Sequence, residues 1–537
     1  MSVIQFDDQQ ITATFDNLAM TPGGYLLKGR NVALKLPFAA QAYYQHGWQS
    51  WSLAAWGEPL PLPTPKPAIL NPMQFDPLYA RHPSPNGSWL GAVELPRGGV
   101  LLLGALNLDS HVQLREGSLQ GWYEDESADP ATCEWFVGFG SEQKVFDAYA
   151  HLLRDRLGQG RATTAYRVWC SWYSLYTAID EHILQTIFEA LGDQPFDVLQ
   201  VDDGWQIGIG DWRANPKFPS GMELLAHKIK ATGRKAGLWL APLLAVPSSS
   251  LYREHRDWLL HDEQGKLVSA GFNWGEQLYA LDTTHPAVLE WLAALMKQVR
   301  AWGYDYIKLD FLYAGALPGK RHTPMPREAA YRRGLSIIRE ALGQDAYFLT
   351  CGAPILPSLG LCDAMRIGPD VAAIWESYRD AVLLYNPATP GVKSAIRTTI
   401  NRMWLAPLVH TDPDVVFFRS RETGLTPEQN ALLQDLAQVC GFKATSDPAQ
   451  WLTQAESANL RAFLTHQPKA VRTGRYTYTL DERPVDFSPA MSLPACPTGI
   501  TTLIASLTGW LGSQPLVLIL LDRLGKNALE KLKKRLS

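Results

Sequence analysis

The sequence predicts an α/β fold built on a central (β/α)8 barrel, with an antiparallel β-sandwich before it and a small unit after it. The barrel rests on two observations. From about residue 165 to 455, strand-like apolar runs alternate with amphipathic helical stretches, the pattern of parallel strands joined by helical crossovers. No GxGxxG follows the first strand and no P-loop occurs, so about 280 residues of alternation fit a closed barrel better than a dinucleotide-binding sheet. The sandwich rests on a third observation, a series of short apolar runs broken by Gly, Pro, Asn and Asp over residues 1–140. The expected organisation is a β-sandwich over 1–140, a linking helix over 141–164, the barrel over 165–455, and a small C-terminal domain over 456–537, β-rich with a terminal helix.

In the first region "GYLLKG", "VALKLPFAA", "GVLLLGALNL" and "SHVQLREG" read as antiparallel strands. "PLPLPTPKP" at 59–67 suits neither a helix nor a central strand and reads as an extended surface loop. "SEQKVFDAYAHLLRDRLG" places Val145, Phe146, Tyr149, Leu152, Leu153 and Leu157 at helical spacing and forms the link. The barrel opens with "YRVWCSWYSLY". A helix follows with Asp180 as N-cap, Ile183, Leu184, Ile187, Phe188 and Leu191 facing inward, and Gly192 as stop. "FDVLQVDD" and "KAGLWLAP" are the second and third strands. A helix with Pro286 in its first turn and Gly303 after its last leads into the fourth, "YDYIKLDF". A helix near 326–342 precedes "AYFLTCG", and "DAMRIGPD" follows. The seventh strand is expected near "MWLAPLVH" and the eighth near "CGFKATS". Beyond 455, "VRTGRYTYTL" reads as a strand and "RLGKNALEKLKKRLS" as a basic amphipathic helix.

Composition narrows the function classes. A formal charge of −4 over 537 residues gives no electrostatic reason to expect nucleic acid or an anionic membrane as partner. Nineteen Trp, 20 Tyr and 18 Phe favour a carbohydrate ligand, because flat apolar sugar faces stack on such rings. Six scattered cysteines, without CxxC pairs or zinc-ligand spacing, read as reduced thiols of a cytoplasmic protein. The N-terminus lacks the basic and apolar regions of a signal peptide. The apolar run "PLVLILL" at 515–521 is far shorter than the roughly 20 residues of a membrane span.

Charge collects where the barrel strands end, which is where such barrels carry their active sites. The second strand ends in Asp202-Asp203, the third carries Trp239, and the fourth ends with Lys308 and Asp310. Cys351-Gly352 closes the fifth, and the sixth ends in "RIGPD" with Arg366 and Asp370. Each alone has a structural reading: Lys308–Asp310 as an ion pair, Asp-Asp-Gly as a turn, Arg366–Asp370 as a local pair, Trp239 as core. Their coincidence at successive strand ends favours a site. Glycoside hydrolysis needs two carboxyl groups flanking the scissile bond, a proton donor and a nucleophile or base, and Asp310 and Asp370 can serve. A lysine beside Asp310 suits a charged nucleophile. Asp202 and Asp203 can accept hydrogen bonds from sugar hydroxyls.

At these residues the sequence resembles the α-galactosidases of glycoside hydrolase family 36, in the clan shared with families 27 and 31. The motifs are "VWCSWY", "VLQVDDGW", "IGDW", "GLWLAP", "YIKLDFLYAGALPG", "CGAPILPSLGLCDAMRIGPD" and "DPD", with "GWQSW" at 47–51 similar to the N-terminal domain of compact, thermophile-type members. The resemblance implies a retaining double displacement on small galacto-oligosaccharides of the melibiose and raffinose type, with no metal and no organic cofactor. It assigns Asp310 as nucleophile and Asp370 as acid/base. Asp202 and Asp203 match the pair that reads O4 and O6 of galactose, and Lys308 and Arg366 match side chains around the other hydroxyls and the nucleophile. Trp239, Trp172 and Tyr173 match pocket walls, and Trp51 an aromatic lent by the N-terminal domain. The same scaffold also suits an α-N-acetylgalactosaminidase or a transglycosylase. A metal-dependent hydrolase lacks an HxH or HExxH arrangement and would place a cation beside Lys308. A non-catalytic sugar-binding protein does not require the paired carboxylates.

Overall fold

Eight short parallel strands form the centre of the computed structural model, which describes residues 2–6, 9–61, 72–80, 82–160, 164–377 and 386–494 together with five isolated positions beyond. They are β1 (Arg167–Cys170), β2 (Val198–Val201), β3 (Lys235–Leu240), β4 (Tyr306–Leu309), β5 (Tyr347–Thr350), β6 (Ala364–Arg366), β7 (His410–Asp412) and β8 (Lys443–Thr445). The sheet order is β7-β6-β5-β4-β3-β2-β1-β8, every pair parallel. The sheet closes after β7 through a parallel bridge from Val416 to Thr445, with the Val416 N–H donated to the Ala444 carbonyl at 2.8 Å. This is the expected (β/α)8 barrel. Strands buried on both faces need mostly apolar sequence, which "VLQV", "GLWL" and "YFLT" supply, with Gln200 and Thr350 as the polar positions.

The longer helices, of ten residues or more, follow the same local rules. They are α1 (Glu142–Leu157), α2 (Glu181–Ala190), α3 (Gly221–Ala231), α4 (Pro286–Ala301), α5 (Arg327–Leu342), α6 (Val392–Asn401), α7 (Pro427–Cys440) and α8 (Gln454–Thr465). Asp180 caps α2 by accepting the Ile183 N–H at 2.8 Å, and Ile183, Leu184, Ile187 and Phe188 are its buried stripe. Pro286 opens α4 at a position where no N–H is required. The expected strand at "MWLAPLVH" is displaced. Met403–Leu405 is a 3-10 turn that buries Trp404 and Leu405, and strand pairing starts only at His410, after Pro407, which has no N–H to give a ladder.

Ahead of the barrel, a six-stranded and a seven-stranded antiparallel sheet enclose a shared core of Leu34, Val112 and Leu119 from one side and Leu27, Leu101, Leu103 and Trp135 from the other. The strand Val100–Ala105 explains the unbroken run "VLLLGA". Leu101 and Leu103 enter the sandwich core, while Val100 and Leu102 join the core continuous with the barrel. Helix α1 lies on that outer face so closely that a Cβ at Gly104 would meet the Tyr149 ring at 2.6 Å.

Two carboxylate networks dock the N-terminal sheets on α5. Glu328 accepts the indole N–H groups of Trp48 and Trp89, each at 2.9 Å, and the Asp109 N–H at 2.6 Å. Arg327 pairs with both Asp76 and Glu124 at 2.6 Å. Burial drives the Glu328 carboxyl well above the usual range, with Asp109 adding to it. After α8, "VRTGRYTYTL" is two strands rather than one. Ala470–Arg472 and Thr477–Leu480 fold back as a hairpin around Gly474, and Arg483–Asp486 adds a third. The proline-rich stretch beyond residue 61 and, apart from Arg523 and Leu524, the segment expected to form a basic terminal helix lie outside the described residues.

Candidate active site

A cavity of about 350 Å³ opens at the C-terminal ends of the strands, within the range of small-ligand sites. Asp202, Asp203, Trp239, Lys308, Asp310, Asp370, Trp172, Tyr173 and Trp51 all line it. Sequence positions spread from 51 to 370 therefore share one chamber.

Asp310 directly follows β4. Its N–H still bonds the Leu240 carbonyl of β3 at 2.8 Å, so the backbone is fixed by the sheet. Its two carboxyl oxygens are held separately: Oδ2 accepts the Trp239 indole N–H at 3.0 Å, and Oδ1 accepts the Phe311 N–H at 2.8 Å. Phe311 itself is left-handed, with φ 54°, an uncommon conformation for a bulky residue. Trp239 is itself anchored, since the Trp205 indole N–H bonds its carbonyl at 2.9 Å.

Lys308 does not form its close ion pair with Asp310. Its Nζ lies 3.0 Å from Asp202 Oδ2, deep in the chamber floor, and Asp202 also accepts from Gln200 at 2.5 Å. Burial alone would lower the lysine pKa, but Asp202, helped by Asp310 and two cysteines, raises it well above the ordinary value. Asp203 is held between the Gln206 amide at 2.6 Å and the Trp274 indole N–H at 2.7 Å. Burial pushes its pKa up to about 6, against the two donated hydrogen bonds and with the help of the Asp202 charge.

Asp370 comes from the loop after β6. Its side chain keeps 32% of its surface open, and Oδ1 accepts from Arg366 at 3.1 Å. Its pKa is raised, first by desolvation and then by the Asp310 charge, with Arg366 opposing. Arg366 does more than pair locally: it donates to Asp412 at 3.0 Å and to Asp414 at 2.8 Å. Tyr173 donates to Asp414, which also accepts the Val371 N–H at 2.9 Å, one residue past Asp370. Burial pushes Asp414 up to about 7, with Asp370 and Asp412 adding and Arg366 opposing. Arg366 therefore sits behind the chamber wall and orients Asp370.

Cys351 and Gly352 are not among the lining residues; Gly352 stands behind Trp51. Gly352 has φ +52°, and a Cβ there would lie 2.9 Å from the Trp51 ring. Several residues at the site carried no reading in the sequence. Asn273 and Trp274 arrive on a hairpin, Ser269–Asn273 and Glu276–Ala280, inserted between β3 and α4. Phe311 lines the cavity beside Asp310, and Met73 and Gln74 join from the N-terminal region. The signal for Asp412 and Asp414 was present in "HTDPD", two carboxylates closing a strand. Away from the chamber, Asp76, His111 and Glu124 come close enough together to suit a metal ion, but both carboxylates already hold Arg327.

A family model described as Melibiase matches residues 132–342. An α-galactosidase from Thermus thermophilus, solved with p-nitrophenyl α-D-galactopyranoside, is 44% identical with a TM-score of 0.86, over 91% of this chain and 99% of that one. The same protein has been solved with stachyose. The family 36 α-galactosidase AgaA from Geobacillus stearothermophilus shares the fold at 15% identity and a TM-score of 0.56, over 82% of this chain and 64% of that one. By sequence, AgaA is 28% identical over 208 residues, 36% of this chain and 27% of AgaA. That matched stretch spans about a quarter of the curated relative's length.

Proposed function

The chain belongs to the α-galactosidases of glycoside hydrolase family 36, and from that premise we propose that it is a retaining exo-α-galactosidase releasing terminal galactose from small oligosaccharides. The observation that carries this reading is the meeting of Asp310 and Asp370 in one aromatic-walled chamber with the Asp202–Asp203 pair.

In the first step an Asp310 carboxylate oxygen attacks the anomeric carbon while Asp370 gives its proton to the glycosidic oxygen. The C–O bond to the leaving sugar breaks and a galactosyl ester forms. In the second step Asp370 takes a proton from water, the water oxygen attacks the anomeric carbon, and Asp310 leaves as carboxylate. The raised pKa of Asp370 suits the first step, and part of that rise comes from the Asp310 charge. Esterification removes that charge, so the pKa of Asp370 falls when it must act as base. The Trp239 and Phe311 donors leave Asp310 little freedom to rotate.

Asp202 and Asp203 are the hydroxyl acceptors of this reading, with Lys308 fixing the first and Trp274 the second. Trp172, Trp239 and Trp51 supply stacking and walls. Stachyose and p-nitrophenyl α-galactoside, the ligands of the Thermus protein, support this substrate class. We place the protein in the cytoplasm on the free thiols of Cys133, Cys170, Cys351, Cys362 and Cys440. No helix among the described residues is long and apolar enough to cross a membrane.

The test is hydrolysis of p-nitrophenyl α-galactopyranoside against its 2-acetamido analogue, with product anomers followed by NMR. The reading predicts preference for the galactoside and α-galactose as first product. Preference for the acetamido sugar would make the protein an α-N-acetylgalactosaminidase, and β-galactose would remove the double displacement.

A further inference from the structure

Arg402, at the C-terminal end of α6, is fully buried. It pairs with no carboxylate among the described residues. Its two terminal nitrogens instead donate to four backbone carbonyls: Ser50 at 2.7 Å and Ile367 at 2.9 Å from one, Gly47 at 2.9 Å and Gln49 at 3.0 Å from the other. An unpaired buried charge is costly, and burial pushes this guanidinium down to about 9. An apolar side chain would fill the same space without that cost, so the four bonds are the reason for the charge.

Three of the four carbonyls belong to the loop that carries Trp51. The loop folds back so tightly that a Cβ at Gly47 would lie 2.3 Å from the Ser52 Cβ and 2.6 Å from the Leu53 carbonyl. Its carbonyls are turned away from solvent and need donors. On the other side, the Ser50 N–H bonds the Ala353 carbonyl at 3.1 Å and the Ile355 N–H bonds the Trp48 carbonyl at 3.1 Å, so the segment after β5 holds the opposite edge. Inside the loop, Gln49 Oε1 accepts the Trp51 N–H at 2.7 Å. The Trp51 ring then meets Phe311 edge-on, with centroids 5.1 Å apart, next to Asp310. The Ile367 carbonyl is the register mark on the barrel side, one residue after Arg366.

We propose that Arg402, together with Gln49, is a positioning device that sets Trp51 against the substrate chamber and thereby governs substrate binding. Only a planar fork reaches carbonyls on two segments at once. Lysine keeps the charge but offers a single point of donation. The proposal rests on the galactosidase reading for its kinetic part.

The experiment is a cycle of Arg402→Lys, Trp51→Ala and the double variant, each confirmed folded by a thermal melt, assayed on p-nitrophenyl α-galactoside. A misplaced wall residue is expected to cost about 10- to 100-fold in kcat/KM, mainly through KM. If Arg402 acts through Trp51, the double variant loses no more than Trp51→Ala alone, within about twofold. Multiplicative losses, or a wild-type KM in Arg402→Lys, overturn the proposal. If Arg402→Lys does not fold, Gln49→Met, which frees the Trp51 N–H while keeping volume, enters the same cycle with the same two outcomes. A crystal structure of the folded variant reads the claim without activity: a Trp51 ring shifted off Phe311 supports it, an unmoved ring overturns it. An inactive wild-type protein would count against the galactosidase reading and leave that structural result standing.

Discussion

Trp239 donates its indole N–H to a carboxylate oxygen of Asp310 across 3.0 Å, which makes the third strand's tryptophan part of the fourth strand's chemistry. A hydrogen bond to a charged group contributes about 1.5–3 kcal/mol. Trp239→Phe keeps most of the wall and removes the donor. It is expected to lower kcat about 10- to 100-fold with little change in KM or melting temperature, measured by steady-state kinetics and calorimetry. A change confined to KM would assign Trp239 to stacking alone.

The Lys308–Asp202 pair at 3.0 Å is buried on both sides. Removing one partner of such a pair costs about 3–5 kcal/mol because the other charge is left alone. Lys308→Met should therefore lower stability by that order in urea unfolding. Lys308→Met combined with Asp202→Asn should recover most of it without restoring activity. Equal stability of the single and double variants would show that the pair is not the source.

Asp203 gives a pH dependence with a definite sign. Its folded-state pKa of about 6 lies above the ordinary carboxyl value, so the folded protein favours the neutral form. The stability this contributes is full below the unfolded-state pKa near 4 and is lost as pH rises through about 6. Asp203→Asn removes the titration. Relative to wild type it should gain up to about 3 kcal/mol between pH 4 and pH 7, while losing substrate affinity. Unfolding curves at the two pH values test this, and a difference independent of pH contradicts it.

Gly352 combines φ +52° with an approach of 2.9 Å to the Trp51 ring for any added Cβ. Gly352→Ala should raise KM through Trp51 and destabilise the fold by about 1–2 kcal/mol. Unchanged kinetics in the folded variant would detach the β5 loop from the chamber.

Much of this arrangement was legible because barrel strands announce themselves as apolar runs ending in charge. Asp202, Asp203, Lys308, Asp310 and Asp370 all end or follow such runs and meet in one cavity. The partner of Lys308 was not legible. Side-chain alternation places Lys308 and Asp310 on one face of a strand, but barrel curvature brings the end of β2 close to that face, and Asp202 takes the pair. Trp274 was hidden because its hairpin belongs to neither the strand nor the helix rhythm. Arg402 was hidden for a different reason: its partners are backbone carbonyls some 350 residues earlier in the chain, and carbonyls carry no sequence signature. The seventh strand was misplaced because the buried residues of a 3-10 turn mimic strand hydrophobicity over three positions.

The central claim is that Asp310 forms a covalent galactosyl ester. Incubation with a fluorinated galactosyl inhibitor, followed by proteolysis and peptide mass mapping, tests it most directly. The predicted result is time-dependent inactivation with one fluorogalactosyl group on the peptide containing "YIKLDF", located at Asp310 by fragmentation. A label on Asp370 or on either of Asp202 and Asp203, or full activity with no label, would contradict it.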